Sequence, residues 1–270
     1  MKYTIENITT DDTGVPLDLM GDVQYALMWF VAIFVLDFIL VRIKWFPEKN
    51  SATRYFSLHV IINAYVVFEH LPDIIATYSD PSVAFLGPCN TRGVMAIYAL
   101  HLYHIAFYQP LDFIDWVHHV VMVVVMLPIA YLLAPGHLLG HGAFYASGLP
   151  GGLDYMMLVM IKLGWISKLD EKYYNNYIQL WVRAPGCLVH AWLTYHNYVE
   201  AVKRYEDPTI PDRLEYSARP LVEPHIARYA VWVVIITFYW NGQFFLERVI
   251  RSHERHIVKA AIEGKKAKAQ

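Results

Sequence analysis

Residues 113–133 read FIDWVHHVVMVVVMLPIAYLL. Beyond its polar beginning this stretch is almost wholly apolar, and a helix needs about 20 such residues to cross the hydrocarbon core of a bilayer. The stretch therefore predicts a transmembrane helix. It also carries Asp115, His118 and His119 into the membrane near one end.

Six further stretches are apolar enough to be candidate spans. They are residues 23–43, 55–77, 93–108, 141–163, 174–199 and 226–246. The third stretch is short, and the fourth and fifth are interrupted by proline and glycine. The seven candidates together predict an all-α fold, namely a polytopic bundle of about seven transmembrane helices.

Composition agrees with a membrane protein and argues against a nucleic-acid-binding or disulfide-rich protein. The 270 residues are 56% hydrophobic and 17% charged, whereas soluble domains carry about 25% charged residues. A net charge of -2 and the lack of zinc-finger spacing or a glycine-rich phosphate loop exclude nucleic acid as a partner. The two cysteines, Cys89 and Cys187, predict no disulfide framework.

Basic residues are distributed unevenly around the candidate spans. Acidic residues precede the first span, whereas lysine and arginine follow it and crowd the end of the chain. The positive-inside rule then places the N-terminus on the lumenal side and the C-terminus in the cytosol. The predicted organisation is a polar lumenal N-terminus at 1–21, a transmembrane bundle at 22–250 and a basic cytosolic tail at 251–270.

Two short signals bear on the organelle. Asn7-Ile8-Thr9 is a glycosylation sequon on the predicted lumenal side, and the lysines near the C-terminus resemble a dilysine retrieval signal. The first apolar run is too long for a cleavable signal peptide. We therefore expect the endoplasmic reticulum membrane, with a mitochondrial membrane as the alternative.

The densest ionisable group within the candidate spans flanks a tight turn at Pro110. Its members are His101, His104, Asp115, His118 and His119. His101 and His119 each lie nine residues from Pro110, which places both about 13 Å from the turn in an antiparallel hairpin. Ionisable groups at this depth are costly and are candidates for function. We expect His101, Asp115, His118 and His119 to approach one another in one polar cluster.

Spacing suggests roles for these residues. Asp115 lies three and four residues before His118 and His119, so its carboxylate can accept a hydrogen bond from either ring and raise the basicity of that ring. This makes the three residues candidate catalytic groups, with a histidine as general base. Histidines in bundles also serve as structural interhelical donors, and that alternative remains open.

Four further residues are candidates for substrate binding. They are His101, His104, Asp154 and Arg183. Asp154 and Arg183 fall inside candidate spans and need partners, so a structural ion pair between them is the alternative.

A di-iron site is a second alternative for the histidines. The chain has the pairs His101-x-x-His104, His118-His119 and His137-x-x-x-His141. The topology places the last pair at the opposite membrane face from the first two. The sequence therefore predicts no metal site.

Five segments of the chain form a recognisable series. They are 54–59 (RYFSLH), 115–120 (DWVHHV), 151–165 (GGLDYMMLVMIKLGW), 176–183 (NYIQLWVR) and 239–241 (YWN). Over residues 50–250 their order and spacing resemble the TLC domain family, which includes ceramide synthases, TRAM proteins, a CLN-type protein and smaller proteins that influence membrane lipid composition.

The resemblance implies a protein that acts on or with membrane lipids, in lipid binding or membrane lipid homeostasis. In ceramide synthases the double histidine, matched here by His118 and His119, is implicated in N-acylation by acyl-CoA, so acyl-CoA is the implied co-substrate and no bound cofactor is expected. The chain departs from the acidic signature of those enzymes, because Asp154 is its single candidate. Whether the protein is an enzyme therefore stays open.

Two alternatives accompany this interpretation. The first is a non-catalytic accessory subunit whose partners are other membrane subunits. The second is a fatty-acid elongase-like condensing enzyme, because residues 101–105 (HLYHI) match part of the His-x-x-His-His box of that family. Membrane lipids are the expected partners under the lipid interpretation.

Overall fold

A computed structural model describes residues 18–44, 51–81, 84, 89–108, 110–133, 136–206 and 224–268. All regular structure within these ranges is helical, and they contain no strand. The predicted all-α fold is confirmed. The sequon at Asn7 and the last two residues of the tail lie outside the described ranges.

Seven helices are present in the described residues. Four of them are regular α-helices: α1 (Leu19–Arg42), α2 (Ser51–Ser79), α3 (Arg92–Phe107) and α7 (Pro224–Lys268). The other three each contain a π-helical stretch between two α-helical segments. They are α4 (Phe113–His118, His119–Met126, Leu127–Leu132), α5 (His137–Ala143, Phe144–Gly148, Leu149–Lys162) and α6 (Lys168–Ile178, Gln179–Arg183, Ala184–Glu206).

Four helices are long and apolar enough to cross a membrane. They are Leu19–Arg42, Thr53–Ser79, Phe113–Leu132 and Ile226–Glu263. The chain is therefore a membrane protein with at least these four candidate spans. Helix α7 continues without a break from its apolar part to Lys268, so the predicted basic tail is largely a helical extension of the last span.

The three helices with π-helical stretches share a proline at one position relative to the π turn. Each π-helical stretch ends two residues before a proline, at Pro128, Pro150 and Pro185. A proline lacks an N–H and its ring clashes with the carbonyl four residues earlier. The wider π turn, with its hydrogen bonds five residues apart, accommodates that ring without breaking the helix. The proline and glycine residues that interrupt the apolar stretches 141–163 and 174–199 thus lie within continuous helices, at positions where the winding changes.

The helices form a ring around a central space. Neighbours contact one another in the order α2, α3, α4, α7, α6 and α5, and α5 closes the ring by packing on α2. Helix α1 packs outside the ring against α3 and α2. Buried Asp37 holds it there, because its carboxylate accepts from Arg54 at 2.9 Å and from the Tyr103 hydroxyl at 2.9 Å.

Glycines allow α5 to approach α2 closely. A Cβ added at Gly152 would lie 3.2 Å from the Cβ of Asn63, and one at Gly148 would lie 3.1 Å from Val66. A Cβ at Gly140 would overlap the carboxylate of Asp73. Small residues at a helix–helix contact bring the backbones together, and in membranes this close packing is a main source of association.

We expect Gly140→Ala to lower the free energy of unfolding by about 1–3 kcal/mol, because overpacking a tight contact forces neighbouring groups to move. Gly148→Ala is the matched control on the same face, since its nearest neighbour is a Val66 methyl that can give way. Thermal unfolding in detergent measures both. Equal melting temperatures for the two variants would contradict the described α2–α5 contact.

Candidate functional site

Five imidazoles from three helices meet at one end of the ring. This histidine cluster comprises His59 on α2, His101 and His104 on α3, and His118 and His119 on α4. The ring centroid of His119 lies 5.3 Å from that of His101 and 5.0 Å from that of His104. The structure thus brings together the three histidines predicted to be close, His101, His118 and His119, and adds His104.

Backbone carbonyls fix the orientation of three rings. His59, His101 and His119 each place Nδ1 within 2.6–2.9 Å of the carbonyl oxygen four residues earlier in the helix. A carbonyl only accepts, so Nδ1 carries the proton in each ring. In a neutral ring Nε2 is then unprotonated and available as a base or acceptor.

This geometry corrects the predicted role of Asp115. His119 donates from Nδ1 to the backbone carbonyl of Asp115 at 2.6 Å, and not to its carboxylate. The side chain of Asp112 caps the beginning of α4 by accepting from the amide of Asp115 at 2.8 Å. Asp115 therefore orients His119 through its main chain, which any residue at this position supplies.

His118 pairs with His101 across the hairpin. Their Nε2 atoms lie 3.4 Å apart, and since His101 already uses its proton at Nδ1, His118 is the donor of the pair. This tautomer leaves Nδ1 of His118 unprotonated. Nε2 of His119 is also buried, with no hydrogen-bond partner among the described residues. The cluster thus holds unprotonated ring nitrogens inside the bundle.

Tyrosines form the wall of the cluster on the side of α2 and α5. The ring centroid of Tyr55 lies 4.0 Å from that of His59 and 4.1 Å from that of His104. The Tyr55 hydroxyl is 3.1 Å from the hydroxyl of Tyr155. Sequence reasoning assigned no role to His59, Tyr55 or Tyr155. Tyr55 and His59 are four residues apart and therefore share one face of α2, which is a signal that the sequence carries. The sequence does not show that this face packs against α3.

A mainly apolar cavity runs from the cluster into the ring. It holds about 110 Å³ of space that the centre of a water molecule can occupy, and α3, α4, α5, α6 and α7 line it. His101 and His118 line one end, and Leu133 and Ala227 lie on the wall towards the other.

Asp154 and Arg183 do not form the ion pair considered as an alternative. No carboxylate among the described residues lies within 4.0 Å of Arg183, which donates to the carbonyl of Ala146 at 3.1 Å and lies 4.5 Å over the ring of Phe245. Asp154 instead accepts from Asn175 at 2.7 Å. Each side chain has its own partners, and only Arg183 lies beside the cavity wall.

A second polar group lies at the opposite end of α2. The carboxylate of Asp73 lies 2.9 Å from Nδ1 of His70 and 2.6 Å from Nδ1 of His137. His137 is thus far from the histidine cluster, as the topology predicts. No group of three histidine, cysteine or acidic side chains in the described part of the chain has the geometry to hold a metal ion.

No protein-family model, no curated protein and no solved structure matches the chain. The resemblance to the TLC domain family therefore rests on the sequence segments alone.

Proposed function

We propose that this membrane protein binds a lipid with its hydrocarbon chain in the central cavity and its polar head at the histidine cluster. The observation that carries the proposal is the cavity itself, whose wall is mainly apolar and ends in His101 and His118. Cavities lined in this way favour apolar ligands over water, with a few polar groups setting the orientation. Its wall extends along α4 from His118 to Ala130, which suits an elongated apolar ligand.

The proposal includes a seven-span topology in the endoplasmic reticulum membrane. Helix α6 is too polar to qualify on hydropathy, but it carries exposed aromatic residues along its length. Tyr174 and Tyr195 are exposed and lie 21 residues apart, which is about 32 Å along a helix. Hydrocarbon cores are about 30 Å thick and tyrosines concentrate at their two interfaces, so this spacing supports α6 as a span.

The chemistry that fits the cluster is acyl transfer to a lipid. Nδ1 of His118 takes a proton from the amine or hydroxyl of the acceptor as its nitrogen or oxygen attacks the carbonyl of an acyl thioester. The new C–N or C–O bond forms and the C–S bond breaks. The imidazolium then returns the proton to the departing thiolate. With the predicted topology, acyl-CoA enters from the cytosol.

The test compares two bulky substitutions on the same helix. Ala130 is buried and lines the cavity, whereas Val124 lies on the outer face of α4 with 64% of its surface exposed. Ala130→Trp fills the cavity, so we expect it to reduce co-purifying lipid at least tenfold, measured by mass spectrometry of the detergent-purified protein. Val124→Trp should retain the lipid.

Loss of lipid from both variants, or from neither, would contradict chain binding in this cavity. The melting temperature of each variant shows whether the fold has been preserved. An Ala130→Trp protein that unfolds early is replaced by Ala130→Leu, which removes less of the cavity and should reduce the bound lipid by a smaller factor.

A further inference from the structure

A second set of polar side chains lines the cavity on α6. His190, Thr194 and Asn197 all belong to the cavity wall, and their spacing places them on one face of the helix. His190 is 3% exposed and Thr194 is 6% exposed. Ser147 also lines the cavity, but its hydroxyl donates to Asn63 on α2 at 3.0 Å. We call His190, Thr194 and Asn197 the α6 stripe.

The α6 stripe lies well away from the histidine cluster. The ring centroid of Phe238 on α7 is 3.9 Å from that of His190, whereas the centroid of Phe245 is 6.5 Å from that of His118. The two phenylalanines are seven residues apart, which is about 10 Å along a helix. Because α6 and α7 run antiparallel at this contact, Asn197 lies about 10 Å further from the cluster than His190.

The stripe carries hydrogen-bonding groups that the protein does not use. Nδ1 of His190 and Oδ1 of Asn197 are buried, and neither has a partner among the described residues. Thr194 donates its hydroxyl hydrogen to the carbonyl of His190 at 2.8 Å, which leaves only lone pairs on that oxygen for another partner. Buried polar atoms without partners lower stability. Thr194 and Asn197 therefore call for a group that donates hydrogen bonds.

The cavity wall is also without formal charge. None of the described residues that line it is a lysine, arginine, aspartate or glutamate. An ammonium or a carboxylate at the stripe would be buried without an opposite charge, which is costly. A ketone cannot donate, so it would leave the acceptors unpaired. A hydroxyl is neutral and both donates and accepts, and it therefore complements Thr194, Asn197 and a neutral His190 ring.

We infer that the α6 stripe binds a hydroxyl group on the chain of the bound lipid, about 10–20 Å from its polar head. The inference rests on the proposed function and narrows its ligand class to hydroxylated long-chain lipids. The head contacts the histidine cluster and the apolar wall covers the chain. The second hydroxyl then donates to Thr194 or Asn197.

The experiment compares hexadecanol with the α,ω-diols of dodecane and hexadecane, which carry a hydroxyl at each end. Displacement of radiolabelled hexadecanol from the full-length protein in detergent measures each affinity. Wild type should bind at least one diol at least tenfold more tightly than hexadecanol. A cavity with a single polar end would bind both diols more weakly than hexadecanol, because the second hydroxyl would be buried without a partner.

Asn197→Leu removes one acceptor of the stripe and keeps a side chain of similar size. It should lose at least fivefold of the preference for the diol and bind hexadecanol as wild type does, which also shows that it is folded. The matched control is Asn176→Leu. Asn176 is likewise half-buried on α6 with no partner for Oδ1 among the described residues, but it does not line the cavity, so this variant should keep the preference.

Thr194→Val is the second variant, because it replaces the hydroxyl with a methyl group of similar shape. It should weaken diol binding and leave hexadecanol unaffected. Equal or weaker binding of both diols by wild type overturns the inference but leaves chain binding standing. Failure of all three ligands to bind wild type overturns the proposed function itself. If both variants lose hexadecanol while their melting temperatures are unchanged, the stripe holds the head of the lipid and the inference is wrong.

Discussion

Replacing His118 with alanine is expected to lower the proposed acyl transfer to lipid by about 100- to 10,000-fold, which is the usual contribution of a general base. His118 lines the cavity and keeps Nδ1 unprotonated by donating from Nε2 to His101. Turnover is measured in proteoliposomes supplied with labelled acyl-CoA and a long-chain amine or alcohol. The lipid bound in the cavity should remain, because the apolar wall is unchanged.

The matched control for this substitution is His256→Ala. His256 also donates from Nδ1 to the carbonyl four residues earlier, at 2.7 Å from Ser252, but it lies on the helical extension of α7 away from the cavity. The control should keep full activity. If His118→Ala keeps the turnover of wild type, or if it loses protein abundance and activity in parallel, the histidine cluster is a structural feature of the bundle.

Asp115→Asn separates two accounts of the same site. If the carboxylate of Asp115 orients and stabilises an imidazolium, replacing it with an amide should remove much of the rate. The structure instead shows His119 held by the backbone carbonyl of Asp115 at 2.6 Å, which the substitution preserves. We therefore expect Asp115→Asn to change turnover less than threefold in the same assay. A loss comparable with that of His118→Ala would restore the role of the carboxylate.

The helical fold and the hairpin cluster were predictable because local sequence determines both. Apolar length gives the spans, and equal distances from Pro110 place His101 and His119 at the same depth, where the rings are 5.3 Å apart. Helical spacing also placed His118 and His119 beside Asp115. It did not show that the main chain of Asp115 competes successfully with its side chain for the ring N–H.

The remaining features depend on which helices are neighbours. His118, His190 and Phe238 lie on three different helices, and nothing in their spacing shows that they line one cavity. The cavity results from the closure of α2 through α7 into a ring. The prolines were a further misleading local signal, because a π turn converts an expected break near Pro150 or Pro185 into a continuous helix.

The largest effect on stability is expected from Asp73→Asn at the end of the bundle opposite the histidine cluster. Asp73 is 4% exposed, and both of its oxygens accept hydrogen bonds, from Nδ1 of His70 at 2.9 Å and from Nδ1 of His137 at 2.6 Å. An asparagine keeps one acceptor oxygen and turns an N–H₂ group towards the second imidazole. Two donors then face each other in a site with little access to water.

Breaking such a buried pair costs about 3–5 kcal/mol, because the remaining partner is left without compensation. We expect Asp73→Asn to lower the free energy of unfolding by this amount in detergent, measured by thermal unfolding. Glu247→Gln is the control, since it removes an exposed pair with Arg251 and should cost about 0–1 kcal/mol. If the two variants melt together, the Asp73 bridge contributes no more than a surface ion pair, and its two histidines find other acceptors. If Asp73→Asn melts early and the double variant Asp73→Asn/His137→Ala recovers part of the lost stability, the facing donors are the cause. Removing one donor then relieves the conflict while the fold stays the same.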